Sequence, residues 1–183
     1  MRIISGKYKG RNLKSPGNSL KVRPTTDRGK ETLFNVLFNH INIEDIVVAD
    51  LFCGTGGIGI EFLSRGAGFC YFVDSDISTV KKNIELLSLN EKHKLLKTDV
   101  LKFLINCAEF FNETGLPDVI FADPPYSYKN YEKLIDAVNK LNVFFILEHS
   151  GTLPETVWDT KKILHKKTGI VEFTFFDFKQ TEI

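Results

Sequence analysis

The 183-residue sequence contains one Met, one Trp and three Cys, and it has no overall excess of either charge, with 24 Lys and Arg against 23 Asp and Glu. No stretch approaches the roughly 18 consecutive apolar residues of a membrane helix, and the basic N-terminus is not followed by the apolar region of a signal peptide. These features suggest a soluble, cytoplasmic chain. Cys53, Cys70 and Cys107 are odd in number and lack C-x-x-C spacing, and His40, His93, His149 and His165 lie far apart in the sequence. Neither a disulfide framework nor a metal site is indicated, and each thiol reads as a small buried hydrophobe. There is no internal repeat and no low-complexity tract.

The near-zero net charge conceals an uneven distribution. Residues 1 to 30 hold nine basic residues (Arg2, Lys7, Lys9, Arg11, Lys14, Lys21, Arg23, Arg28 and Lys30) and only Asp27 as an acid, leaving +8 there and −7 in the remainder. Such clustering is an electrostatic footprint for phosphates. Ile3, Ile4, Tyr8 and Leu13 are interleaved with these cations, which argues for a folded basic hairpin rather than a solvated tail. A loop with Pro16, Gly17 and Pro24 follows. A helix capped by Thr26 or Asp27 then presents Leu33, Phe34, Leu37 and Phe38 as an apolar face. Residues 1–45 form an N-terminal extension to a main domain spanning 46–183.

From about residue 46, short apolar runs alternate with amphipathic stretches, the pattern of a parallel sheet with helical crossovers. Strands are predicted at Ile46 to Phe52, Phe69 to Val73, Leu95 to Thr98, Val119 to Ala122 and Val143 to Leu147. Helices are predicted at Ile58 to Ser64, Ile77 to Leu89, Val100 to Phe110 and Tyr131 to Leu141, with Ser75 or Asp76 capping the second. Two extended runs around Gly169, within Lys161 to Phe178, suggest a closing antiparallel pair. The predicted fold class is α/β, doubly wound and Rossmann-like, with a mostly parallel seven-stranded sheet.

A glycine-rich turn, Gly54-Thr-Gly56-Gly57-Ile-Gly59, follows the first strand and satisfies a dinucleotide-binding spacing. Asp74, twenty residues after Gly54, is placed to accept from ribose hydroxyls. The turn alone fits either NAD or S-adenosylmethionine. Asp50 favours the second, since a carboxylate suits the methionine ammonium and is poorly placed beside a pyrophosphate. Asp99 follows the third strand, where it can accept from an adenine amino group. Singly, Asp74 and Asp99 also read as helix caps or turn acids. The candidate cofactor residues are Asp50, Phe52, Gly54, Gly56, Asp74, Asp99 and Val100.

The fourth strand stops at Asp123-Pro124-Pro125-Tyr126, because two prolines cannot continue a ladder. Asp123 and the Pro124 carbonyl can converge on an exocyclic amino group, with Tyr126 stacked on the base that carries it. An aromatic amine is a weak nucleophile, and two acceptors holding its hydrogens direct its lone pair at a methyl donor. Asp123 also stabilises the developing positive charge and can take the proton. The prolines fix this geometry in advance.

Asp-Leu-Phe-Cys-Gly-Thr-Gly at 50 to 56 with Asp-Pro-Pro-Tyr at 123 to 126 resembles S-adenosylmethionine-dependent amino methyltransferases acting on RNA or DNA bases. Met1-Arg-Ile-Ile-Ser-Gly-Lys-Tyr-Lys-Gly-Arg11 and the segment from Val22-Arg-Pro-Thr-Thr-Asp to Leu37 narrow the resemblance to the rRNA small subunit methyltransferase D family. Ser64-Arg-Gly-Ala67, Leu147-Glu-His149 and Lys167-Thr-Gly169 extend it over nearly the whole chain. Gly29, where the family favours a helix former, and Gly-Thr-Gly-Gly-Ile-Gly in place of the commoner Gly-Ser-Gly-Ala-Leu-Gly, are departures.

The resemblance implies methylation of guanine N2 in 16S rRNA; the expected setting is an assembling or assembled 30S particle, and the expected state a monomer. It also implies that the basic hairpin and the Arg23 to Arg28 loop sit over the active site, with Arg2, Lys7, Lys9, Arg11, Arg23 and Arg28 on RNA. Alternatives are adenine-N6 methylation of DNA or another RNA, a noncatalytic RNA-binding assembly factor, and an NAD-dependent dehydrogenase.

Overall fold

The computed structural model describes residues 1–15, 26–89, 92–111, 115–150, 153, 162–169 and 171–179. The chain runs α1 (Asp27–Leu37), β1 (Val47–Leu51), α2 (Gly57–Ser64), β2 (Phe69–Asp74), α3 (Ser78–Leu87), β3 (His93–Lys97), α4 (Val100–Ile105), α5 (Cys107–Phe110), β4 (Val119–Ala122), α6 (Tyr131–Asn139), β5 (Phe144–His149), β6 (Lys162–Thr168) and β7 (Val171–Asp177). One seven-stranded sheet has the order β3-β2-β1-β4-β5-β7-β6. Its first five strands are parallel, and β7 pairs antiparallel with both β5 and β6. The predicted closing pair therefore exists, with β7 inserted next to the parallel strands.

The central strands are apolar on both faces because each face is covered. Val48, Phe72, Phe121 and Ile146 pack in one cluster with α1, α2 and α3, whereas Ala49, Val73, Ile120 and Phe145 pack in another with α4 and α6. The predicted helix from Val100 to Phe110 is broken at Asn106, which separates α4 from α5. The break brings Phe110 and Phe111 onto Phe103, with ring centroids 5.3 Å away in each case. Among the described residues, no helix is long and apolar enough to cross a membrane.

Thr26 caps α1 by accepting from the Gly29 amide, and Leu33, Phe34 and Leu37 are buried as predicted. Phe38 is not, at 57% exposure. It follows the last helical residue and lies within reach of the Arg65 guanidinium, which stacks at 4.1 Å on Phe34 and 5.7 Å from Phe38. The interior position one turn before Phe34 is taken instead by Lys30, fully buried with its ammonium on the Arg2 carbonyl at 3.0 Å and 3.8 Å from Glu61. Burial lowers the Lys30 pKa.

Within residues 1–15 the chain folds back as a hairpin, with Arg2 bridged antiparallel to Asn12. Ile3 and Arg11 share a backbone bond, as do Gly10 and Ile3, and Leu13 and Met1. Glu61 of α2, itself fully buried, receives the Ile4 and Ser5 amides on its two oxygens at 2.9 Å each and Arg65 Nε at 3.0 Å. Further along, Asn83 of α3 accepts from the Lys14 amide and donates to the carbonyls of Lys14 and Thr55.

Candidate functional site

Because β1 leads through α2 to β2 on one side and β4 lies on its other side, the carboxyl ends of β1 and β4 diverge at the point where the strand order reverses. Open α/β sheets bind ligands at such a switch point. Here a cleft of about 350 Å³ opens over it, lined from β2 by Asp74 and Ser75, from β1 by Phe52 and Gly54, from β4 by Asp123 to Tyr126, and from β5 by Glu148, His149 and Ser150. The volume falls within the usual range of small-molecule sites.

The glycine turn is held from below and from the side. Gly54, at φ 51°, donates its amide to Asp74 Oδ2 at 2.9 Å. The other Asp74 oxygen accepts from the Ser75 hydroxyl and the Asp76 amide. Asp74 thus lines the cleft while fixing both the turn and the start of the next loop. Gly59 sits so close to β2 that a Cβ there would meet the Phe72 ring at 2.4 Å and Cys70 Sγ at 2.7 Å. Only glycine lets α2 approach the sheet this tightly.

Four of the predicted cofactor residues, Asp50, Gly56, Asp99 and Val100, do not line the cleft. Asp50 does not face the cleft: its side chain is enclosed beneath the turn and accepts the Gly59 amide at 2.9 Å. Burial pushes its pKa up to about 7, with Asp123 and Asp74 adding to the rise. Asp99 caps α4 by accepting from the Lys102 amide at 3.0 Å, the cap reading of its turn position. Val100 is buried in the core beneath α4. Gly56 caps α2 in the left-handed region at φ 74°. Phe52, Gly54 and Asp74 do line the cleft.

Asp123, Pro124, Pro125 and Tyr126 all line the cleft. Asp123 lies deep in the cleft, and desolvation raises its pKa to about 7. Tyr126 stands at the rim, 63% exposed. Behind this loop, the Tyr128 ring contacts Phe52 and Tyr131 edge-on, at 5.2 and 5.3 Å between centroids. The Tyr128 hydroxyl is buried without a hydrogen-bond partner among the described residues. Burial, with Asp99 as the next cause, pushes its pKa to about 12.

Glu148, His149 and Ser150 were not singled out as site residues by sequence reasoning. The available signal was a charged pair ending an otherwise apolar strand. His149 and His165, remote in the sequence, also meet: their rings lie 5.7 Å apart, and with Glu172 their ligating atoms fall within 4.8 Å of one another. The Thr174 hydroxyl bonds to both imidazoles, His165 Nε2 reaches Glu172, and Lys167 neutralises that carboxylate. The group is accounted for as a hydrogen-bonded chain closing the β5-β7-β6 edge.

None of the described hairpin residues lines the cleft. Its tip docks at the far end of α2, where the Lys7 and Tyr8 amides bond to Ser64, and Arg11 reaches the Leu86 carbonyl at the end of α3. Seven residues of helix place Ser64 about 10 Å from the glycine turn. Lys7, Lys9 and Arg11 are exposed there. Arg2 lies nearer the turn and pairs with Asp27 at 2.8 Å, Arg28 is exposed on the first turn of α1, and Arg23 lies outside the described residues.

A family model described as conserved hypothetical protein 95 matches residues 1–177. The chain is 38% identical over 183 residues to YlbH of Bacillus subtilis, covering 93% of this chain and 96% of that protein. It is 33% identical over 186 residues to ribosomal RNA small subunit methyltransferase D of Haemophilus influenzae, covering 96% and 93%. The solved structure of yhhF from Escherichia coli superposes with a TM-score of 0.73 at 28% identity, over 96% of each chain. With its glycine turn, its Asp-Pro-Pro-Tyr loop and these matches along its length, the chain belongs to the ribosomal RNA small subunit methyltransferase D family.

Proposed function

We propose that the protein methylates the N2 amino group of a guanine in small-subunit rRNA, using S-adenosylmethionine. The observation that carries this reading is the placement of Asp123, Pro124 and Tyr126 in one cleft with Gly54 and Asp74. S-adenosylmethionine supplies an electrophilic methyl group on a sulfonium. On the β1 and β2 side Gly54 allows close backbone approach, Asp74 offers an acceptor for hydroxyls and Phe52 an apolar wall, backed by the Tyr128 ring from the loop after β4. Among the described residues no Lys or Arg lines this cleft, which suits a cationic ligand better than a pyrophosphate.

On the β4 side, the Asp123 carboxylate and the Pro124 carbonyl accept the two hydrogens of the base amino group. The nitrogen lone pair is then left perpendicular to the base and aimed across the cleft. Tyr126, exposed at the rim, offers its ring to the face of the entering base. As the nitrogen becomes cationic, the carboxylate stabilises it and receives the proton that leaves. A pKa near 7 is matched to that task, since a base works best when its pKa lies close to the working pH. The exposed cations of the N-terminal hairpin support RNA contact remote from the reacting base. Their position along α2 suits a substrate surface much wider than the cleft.

The test is incubation of purified protein with labelled S-adenosylmethionine and small-subunit rRNA from cells lacking the enzyme, as 30S particles and as naked RNA. Transfer of label to the rRNA is expected. Cofactor binding without transfer to either substrate would contradict the rRNA assignment.

A further inference from the structure

Asp-Pro-Pro-Tyr presents acceptors to an amino group but does not say which base carries it. The neighbouring strand supplies a candidate reader. Ala122 of β4 is in parallel register with Leu147 of β5, so the next residues, Asp123 and Glu148, emerge side by side from adjacent strand ends. Parallel neighbours are spaced by about 4.8 Å, and residues in register point to the same face. Both side chains line the cleft. Glu148 is 5% exposed, an unusual position for a glutamate. It lies one strand beyond Asp123 on the side away from the cofactor half formed by β1 and β2, so it faces the base.

Resting on the guanine-N2 reading above, we infer that Glu148 is a specificity residue that accepts the N1–H of the target guanine while Asp123 and Pro124 hold its N2 amino group. Guanine presents donors on two adjacent nitrogens, N1–H and N2–H₂. Two carboxylates from adjacent strands match that pair. Adenine carries an unprotonated N1 beside its amino group, as does 2-aminopurine beside its own. With either analogue a Glu148 carboxylate oxygen meets the N1 lone pair, acceptor against acceptor, where guanine offers a donor. Sites built on such hydrogen bonds reject analogues that lack the donor by large factors.

The test uses 30S particles reconstituted with 16S rRNA carrying either guanine or 2-aminopurine at the methylated position. Both bases have the 2-amino group, and only guanine has N1–H. The wild-type protein is expected to favour guanine by at least about 100-fold in kcat/KM. Glu148→Gln, whose amide can donate as well as accept, is expected to reduce that preference to within about tenfold, with cofactor Kd unchanged. Glu148→Asp is expected to retain the preference at lower kcat/KM. Equal methylation of the two bases by the wild-type protein would overturn the role of Glu148 without any variant having to fold. So would an unchanged preference in Glu148→Gln. Failure of the wild type to methylate guanine at all would instead overturn the guanine-N2 reading on which it rests.

Discussion

The carboxylate of Asp50 and the amide of Gly59 lie 2.9 Å apart beneath the glycine turn, joining the end of β1 to the first turn of α2. This bond sets the angle at which α2 leaves the sheet, and it explains why an acid sits where water does not reach. Burial holds the Asp50 pKa near 7 rather than 3.8.

The raised value fixes a sign for stability. The folded state keeps its proton up to about pH 7 while the unfolded chain loses it near pH 4. The resulting stability is complete below pH 4 and is lost as pH rises through 7. Asp50→Asn keeps an acceptor for Gly59 and has no proton to lose. Its urea midpoint should gain on the wild type steadily between pH 5 and 8, as measured on the cofactor-free protein. A constant difference across that range would remove the assigned protonation.

Asp123 titrates in the same window, with a kinetic consequence. Methyl transfer measured in single turnovers should rise with pH and level off above about 7. Asp123→Ala should lose roughly 10² to 10⁴ in rate while binding the cofactor normally. Normal turnover in Asp123→Ala would exclude the proposed base.

Tyr128 offers a two-sided outcome. Replacing it by Phe removes a buried hydroxyl that has no partner among the described residues, a group whose burial costs about 1–3 kcal/mol. Tyr128→Phe should therefore be as stable as the wild type, or more so, in thermal unfolding. It should also bind S-adenosylmethionine more weakly in calorimetry if the hydroxyl is completed by the cofactor.

The N-terminal hairpin hangs on Glu61. Glu61→Ala leaves the Lys30 ammonium buried without its countercharge and the Ile4 and Ser5 amides unpaired. A cost of about 3–5 kcal/mol is expected, with loss of hydrogen-exchange protection at Ile4 and Ser5. Lys30→Met should cost much less, because it removes the charge instead of stranding it.

The hairpin tip is a separate matter. Lys9→Ala and Arg11→Ala should each weaken rRNA binding and reduce the salt slope by about 1, with no change in cofactor affinity. Unaltered slopes would place the tip outside the RNA interface.

Much of this fold was legible because its signals are local. Apolar runs such as Val119 to Ala122 and Phe69 to Val73 end at Pro124 or at acids, and the Gly54 to Gly59 turn carries its own spacing. The direction each side chain takes was less legible, because local caps and tertiary partners compete for it. Asp50 and Asp99 occupy strand ends as expected, yet one turns under the loop to meet Gly59 and the other turns back to cap α4. Phe38 completes a helical apolar stripe on paper, but α1 ends one residue before it. The meeting of His149 with His165, and of Asp123 with Glu148, depends on which strands are neighbours. Strand order is not written in any one segment.

The most direct test of the central claim is the identity of the methylated nucleoside. 30S particles from cells lacking the enzyme are treated with the protein and S-adenosylmethionine, the rRNA is digested, and the products are resolved by mass and chromatographic comparison with standards. N2-methylguanosine from one site in 16S rRNA, absent when Asp123→Ala replaces the wild type, is the predicted result. N6-methyladenosine, or methyl transfer that survives in Asp123→Ala, would contradict it.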